Sequence, residues 1–108
     1  MLLFNKISLL ESKVHGKGVF ANEFLNKDEI IEQCSFVDFE SLDKKDDLEK
    51  YTFEIFDKKI LPSGLCIYLN SSENPNVRYE FDLDENLIVF YTTKDIKKDE
   101  ELFLMYDF

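Results

Sequence analysis

The sequence predicts a mostly β chain, a β-rich α+β fold of small twisted sheets with one short helix. Three observations carry that expectation. Short runs rich in Ile, Val, Phe and Tyr recur at about ten-residue intervals. Gly16, Gly18, Gly64, Pro62 and Pro75 are the main breakers along the chain. Only Ser41 to Phe56 carries apolar residues, Leu42, Leu48, Tyr51 and Ile55, that roughly share one helical face, with Ser41 placed to cap it.

The strands follow in order. Lys6 to Leu10 and Gly18 to Asn22 flank the glycine pair, and Glu29 to Phe36 brings two adjacent isoleucines. Leu65 to Leu69 is an apolar run behind Gly64, Val77 to Asp82 alternates in strand fashion, and Leu87 to Thr92 is rich in β-forming residues. Leu102 to Tyr106 is apolar on both faces through Phe103, Leu104 and Met105, as a buried strand requires.

With 108 residues the chain reads as one domain, residues 1–108, with room for a single core. Its 44% hydrophobic and 15% aromatic content is far from that of disordered chains. A net charge of −10 repels a phosphate backbone, which argues against general nucleic-acid binding, and attracts a Lys-rich peptide; it also serves plain solubility, and charge alone does not decide between them. Cys34 and Cys66 lack paired metal-ligand spacing, so no metal site is expected, and they read as buried free thiols in a reducing compartment. In MLLFNKISLLESK, Asn5, Lys6 and Glu11 interrupt the apolar residues, so no signal peptide is expected. Nor does any apolar run reach the about 18 residues that a membrane span needs. The expected setting is intracellular, cytoplasmic or nuclear.

Three segments could carry chemistry. HGKGVFA (His15 to Ala21) places two glycines around Lys17, a pattern that tight turns also use. NSSENPN (Asn70 to Asn76) is a polar joint, long for a hairpin, with three asparagines and with Pro75 restraining Asn74; alone it would read as a turn satisfying its own backbone. KDIKKDEELFLMYDF (Lys94 to Phe108) leads a charged turn into a strand that carries Tyr106, alone a core tyrosine.

In this order, G-x-G-V-F-A, N-x-S-x-x-P-N and D-I-x-x-x-E-E-L ending in Tyr resemble the SET-domain protein lysine methyltransferases, and the minimal, viral type in particular. The resemblance runs almost end to end. It implies a C-terminal pseudoknot, in which the last segment passes through an earlier loop, and S-adenosylmethionine as cofactor at that crossing. It assigns cofactor contacts to Lys17, Gly18, Asn70 and Ser71, and the catalytic phenol to Tyr106. Tyr51, Tyr79 and Phe108 are the expected substrate-channel residues, ordinary packing being the other reading of the two tyrosines. The implied activity is methyl transfer to a lysine of a basic protein or peptide, a histone tail or another Lys-rich protein, for which the acidic surface is a docking field.

The chain departs from the family pattern at several points. Ser71 stands where the pattern has His, Asp99 replaces a glycine before E-E-L, and Glu32, Gln33 and Cys34 stand in place of a Y-x-G element. No zinc-binding segment is expected after Tyr106, so Phe108 or a second subunit in a homodimer is expected to close the channel. Two further readings stay open: a non-catalytic SET-like module that binds a basic partner, and an unrelated β domain.

Overall fold

The computed structural model describes residues 6–42 and 46–104, apart from the side chains of Asp46 and Asp47. Among them run β1 (Ile7–Glu11), β2 (Lys17–Ala21), β3 (Ile30–Asp38), β4 (Phe53–Ile55), β5 (Lys58–Pro62), β6 (Asn70–Ser71), β7 (Val77–Asp82), β8 (Leu87–Thr92) and β9 (Glu101–Leu104). Strand order is β1-β2-β9-β7-β8-β3-β5-β4, with β6 paired to β9. The architecture is the strand-rich one expected, with β7 and β8 at the expected bounds and β1, β2 and β3 within about two residues of theirs.

Two segments differ. Ser41 to Phe56 is not a continuous helix: Phe39–Ser41 and Asp46–Tyr51 are 3-10 turns, and β4 follows. The Asp38 carboxylate accepts the Glu40 N–H at 3.0 Å and caps the first turn, while Thr52 closes the second by donating N–H and hydroxyl to the Glu49 carbonyl. Beyond it, Phe53 buries itself opposite Ile60 of β5, and this strand pairing overrides the weak helical spacing. The β4–β5 hairpin turns through Phe56 and Asp57 at φ 48° and 63°, the left-handed pair that a two-residue loop needs, without the usual Asn-Gly signature. The second difference is Leu65 to Leu69, expected as a strand. Leu65–Tyr68 is a 3-10 turn, for a reason that lies in Glu32 and is described with the site.

The C-terminal strand organises the rest. Val19 of β2 pairs with Leu102, and Leu104 pairs in parallel both with Ser71 of β6 and with Val77 of β7. A strand residue has two edges, so β9 passes between the two ends of the polar joint. This is the crossing that the resemblance implies. Val19, Leu102, Leu104, Ile88 and Phe90 are at most 1% exposed and form the centre of the core around it.

Asn76 holds the crossing. Its Oδ1 accepts the Phe103 N–H at 2.6 Å, its Nδ2 donates to the Glu101 carbonyl at 3.1 Å, and its own N–H donates to the Phe103 carbonyl at 3.0 Å. One buried side chain thus serves backbone groups of β9 that the chain's crossing would otherwise leave without a strand partner. Within the joint, Ser72 rather than an asparagine makes the local turn, accepting the Asn74 N–H at 3.0 Å.

Asn76→Ala strands a donor and an acceptor of β9 in the interior, so it should cost about 2–4 kcal/mol of unfolding free energy. Urea unfolding monitored by circular dichroism measures it. A loss under about 1 kcal/mol would mean that water replaces the amide at no great cost.

Candidate functional site

Two walls and the cleft between them make up the site. The first wall is the turn from Ser12 to Lys17. Ser12 N–H donates to the Gly16 carbonyl at 2.8 Å, and Gly16 adopts φ 48°, the left-handed conformation glycine accepts most readily. Asn70 ties this turn to the joint: its Nδ2 lies 3.1 Å from both the His15 and Lys17 carbonyls and 2.9 Å from Glu101 Oε2. The Ser12 hydroxyl donates to the same carboxylate at 2.8 and 2.9 Å. Gly18 is buried beneath that carboxylate, and a Cβ there would collide with Glu101 Oε2 and come 3.0 Å from Ser12 Cβ.

The second wall is the Leu65–Tyr68 turn. Glu32 reaches across from β3, and its two carboxylate oxygens accept the N–H groups of Leu65 at 3.0 Å and Cys66 at 2.9 Å. A carboxylate on the first two amides of a turn caps it as it would a helix, which converts an apolar run with strand composition into a 3-10 turn. Gly64 makes room, because a Cβ there would collide with that carboxylate. The turn brings the Tyr68 ring to 5.2 Å from Tyr51, and nearby Phe53 and Tyr79 meet edge to face at 5.0 Å.

Between the walls lies an open cleft of about 760 Å³. His15, Gly16 and Lys17 line it from the first wall, Ile67 to Ser71 from the second wall and the joint, and Lys50 to Glu54 with Tyr79 close the aromatic side. Of the residues singled out in the sequence, Lys17, Asn70, Ser71, Tyr51 and Tyr79 therefore meet in one cavity. Gly18 stands behind the wall, under Glu101. Asn70 lines the cavity while its amide nitrogen is held by protein acceptors. Tyr106 and Phe108 lie outside the described residues.

Sequence reasoning missed Tyr68, His15, Lys50 and Glu54 as lining residues. Tyr68 was hidden by the strand-like composition of GLCIYL; the signal that could have placed it was Gly64 preceding a run with a carboxylate available on an earlier strand. The lining joins Lys17 and the Asn70 amide at one end to tyrosines at the other, where Lys50 lies over the Tyr51 ring at 5.2 Å. That donor set suits a ligand with a carboxylate-bearing part and a flat aromatic part, and the size is within the range of about 300–1,000 Å³ usual for small-molecule sites.

Cys34 and Cys66 are buried and unbridged near the Glu32 carboxylate. Burial, reinforced by the Glu32 charge, pushes the Cys34 thiol up to about 11 and holds Cys66 well above the ordinary thiol range. Neither is poised as a nucleophile near neutral pH.

The SET domain family profile matches residues 16–107. The chain belongs to the SET domain family. A Schizosaccharomyces pombe histone-lysine N-methyltransferase specific for H3 lysine 37 is 30% identical to it, the match covering 93% of this chain and 72% of that protein. A Plasmodium falciparum protein described as a candidate histone methyltransferase superposes with a TM-score of 0.77 at 31% identity, covering 97% of this chain and 96% of that one. A polycomb repressive complex 2 structure from Chaetomium thermophilum gives a TM-score of 0.74 at 22% identity, over 94% of this chain but 15% of that one, which concerns the fold alone. The joint and the strand that crosses it both lie within the matched residues. No helix among the described residues is long and apolar enough to cross a membrane.

The raised thiols predict a pH dependence. The folded state keeps its thiols protonated after the unfolded chain has begun to lose those protons, so their stabilisation is intact below about pH 9 and is lost as pH rises through about 11. Unfolding free energy measured from pH 8 to 11 should fall more steeply for the wild type than for Cys34→Ala. Parallel curves would contradict this placement of the thiol.

Proposed function

We propose that the chain, acting as one SET-like unit over residues 1–108, is an S-adenosylmethionine-dependent protein lysine methyltransferase whose substrate is a basic tail. One observation carries the reading: within a SET domain, the first wall, the joint and a group of tyrosines converge on a single cleft. The donor set described above fits the cofactor. Lys17, Asn70 and Ser71 would hold its amino-acid and adenosine parts, with the backbone of the 15–17 turn alongside. When bound, S-adenosylmethionine supplies an electrophilic methyl group on a sulfonium sulfur.

What the chain itself must do is align and desolvate. A methyl displacement needs the attacking nitrogen in line with the carbon–sulfur bond, and a narrow aromatic passage provides that alignment. A free lysine titrates near about 10.4, so the amine has to arrive neutral, which an apolar channel favours. Tyr51, Tyr68 and Tyr79 are the proposed passage residues among those described, and Phe108 or a second copy of the chain is the proposed closing wall. Tyr106 is proposed to orient the amine through its hydroxyl, on the strength of the family motif.

The substrate class rests on charge and kinship. A chain of net charge −10 gathers basic segments at its surface and repels nucleic acid. A relative acts on a histone, and we carry to this chain the coarser idea, a lysine in a basic protein, with a histone tail as the first case to try. A cytoplasmic or nuclear setting goes with that substrate and with reduced thiols.

Titration calorimetry with S-adenosylhomocysteine, followed by mass spectrometry of a Lys-rich peptide incubated with S-adenosylmethionine, tests the proposal. Binding and a 14 Da gain, about the mass of one methyl group replacing hydrogen, are expected. Binding without any mass gain would leave a non-catalytic module. Tyr106→Phe should keep cofactor affinity and lower turnover at least about tenfold, the loss of about 1.4 kcal/mol in the transition state. Unchanged turnover would remove the phenol from catalysis.

A further inference from the structure

We propose that Glu101 is a positioning residue for the cofactor cleft: from behind the wall, its carboxylate fixes the Ser12–Lys17 turn and Asn70 and thereby sets cofactor affinity. The inference rests on the cofactor reading above. Glu101, Ser12 and Gly18 are absent from the lining, whereas His15, Gly16, Lys17 and Asn70 are in it. Glu101 stands one layer back, and the lining residues hang on it.

Three features place it there. The carboxylate accepts from two side chains on different segments, the Ser12 hydroxyl at 2.8 and 2.9 Å and the Asn70 amide at 2.9 Å. Hydrogen bonds to an ionised acceptor are roughly twice as strong as neutral ones, so this pair is the firmest tie behind the turn. The same Asn70 nitrogen lies 3.1 Å from the His15 and Lys17 carbonyls, so the carboxylate sets where the amide can reach the turn. Gly18 then gives the carboxylate its seat, since any side chain there would displace it.

The backbone of Glu101 is fixed independently. Its carbonyl accepts the Asn76 amide at 3.1 Å, and its residue pairs with Phe20 of β2. Asn70 and Asn76, the two ends of the joint, thus hold one residue, the first by its carboxylate and the second by its main chain. The carboxylate can therefore be altered while the strand remains tied. A change there loosens the turn and leaves the crossing closed.

The test uses the full chain, with S-adenosylhomocysteine as probe in calorimetry and S-adenosylmethionine in steady-state kinetics. Glu101→Gln keeps the shape of the side chain but removes the charge and turns one acceptor into a donor. It should raise Kd for the probe about tenfold, as expected for losing a charged hydrogen bond. KM for the cofactor should rise in proportion, while kcat changes much less. Ser12→Ala, which leaves Glu101 in place, should raise Kd in the same direction by a smaller factor. Unchanged Kd in both variants, with native circular dichroism, overturns the inference, as does a fall in kcat with KM unmoved. A wild type that does not bind the probe overturns the cofactor reading and this inference together. Binding that survives Glu101→Gln undiminished overturns this inference alone.

Discussion

The amide of Asn76 on the backbone of β9 is the interaction on which the rest of this structure depends. A strand that passes between the ends of a loop cannot be paired continuously along both edges, because the loop must leave the strand's plane to close around it. Main-chain donors and acceptors at that point face the interior with no ladder to join. A side-chain amide is uncharged and can meet an N–H with its oxygen and a C=O with its nitrogen at the same time. Asn76 does so at Phe103 and Glu101, and this explains why an otherwise apolar neighbourhood carries so polar a joint. Asn70 and Ser71, which pair with β9 at the other end of the joint, line the cleft, so the crossing and the cleft meet in one segment.

A second constraint is electrostatic. The chain carries 23 acidic residues, and two of them are drawn inward to shape the site. Glu32 sits over Gly64 and caps the turn that carries Tyr68; Glu101 sits over Gly18 and ties the turn that carries Lys17. Neither of these glycines has a positive φ, so each serves by what it lacks, a Cβ in the carboxylate's place. Partly buried carboxylates of this kind are tolerated because every oxygen meets a donor, backbone N–H groups in one case and a hydroxyl with an amide in the other.

Much of this was legible in the residues. Val77 to Asp82 and Leu87 to Thr92 declare themselves by β-branched and aromatic content, and the structure pairs them as neighbouring strands. The ordered motifs carried the family and with it the crossing, which no periodicity could have shown. What stayed hidden were effects of long-range partners. Leu65 to Tyr68 has strand composition and becomes a turn only because a carboxylate 33 residues earlier reaches its amides. Phe53 to Pro62 hides a hairpin because its loop is Phe-Asp where Asn-Gly would have announced it. Asp99 was legible as a change of turn residue, and the structure finds it at φ 73°, a conformation that Asp tolerates better than most side chains and in which the family's glycine would be unstrained. For the site, the motifs brought Lys17, Asn70 and Ser71 to one cleft, whereas they could not say that Gly18 would seat a carboxylate.

Amide hydrogen exchange of the unliganded chain and of its mixture with S-adenosylhomocysteine, read residue by residue, tests most directly the claim that the crossing and the cleft are one structure. The account predicts that the Phe103 N–H exchanges only through global unfolding, and that the probe slows exchange at residues 15–17 and 65–72 together with it. Exchange of Phe103 through local fraying of β9, with the probe protecting the cleft and leaving that amide unchanged, would contradict it.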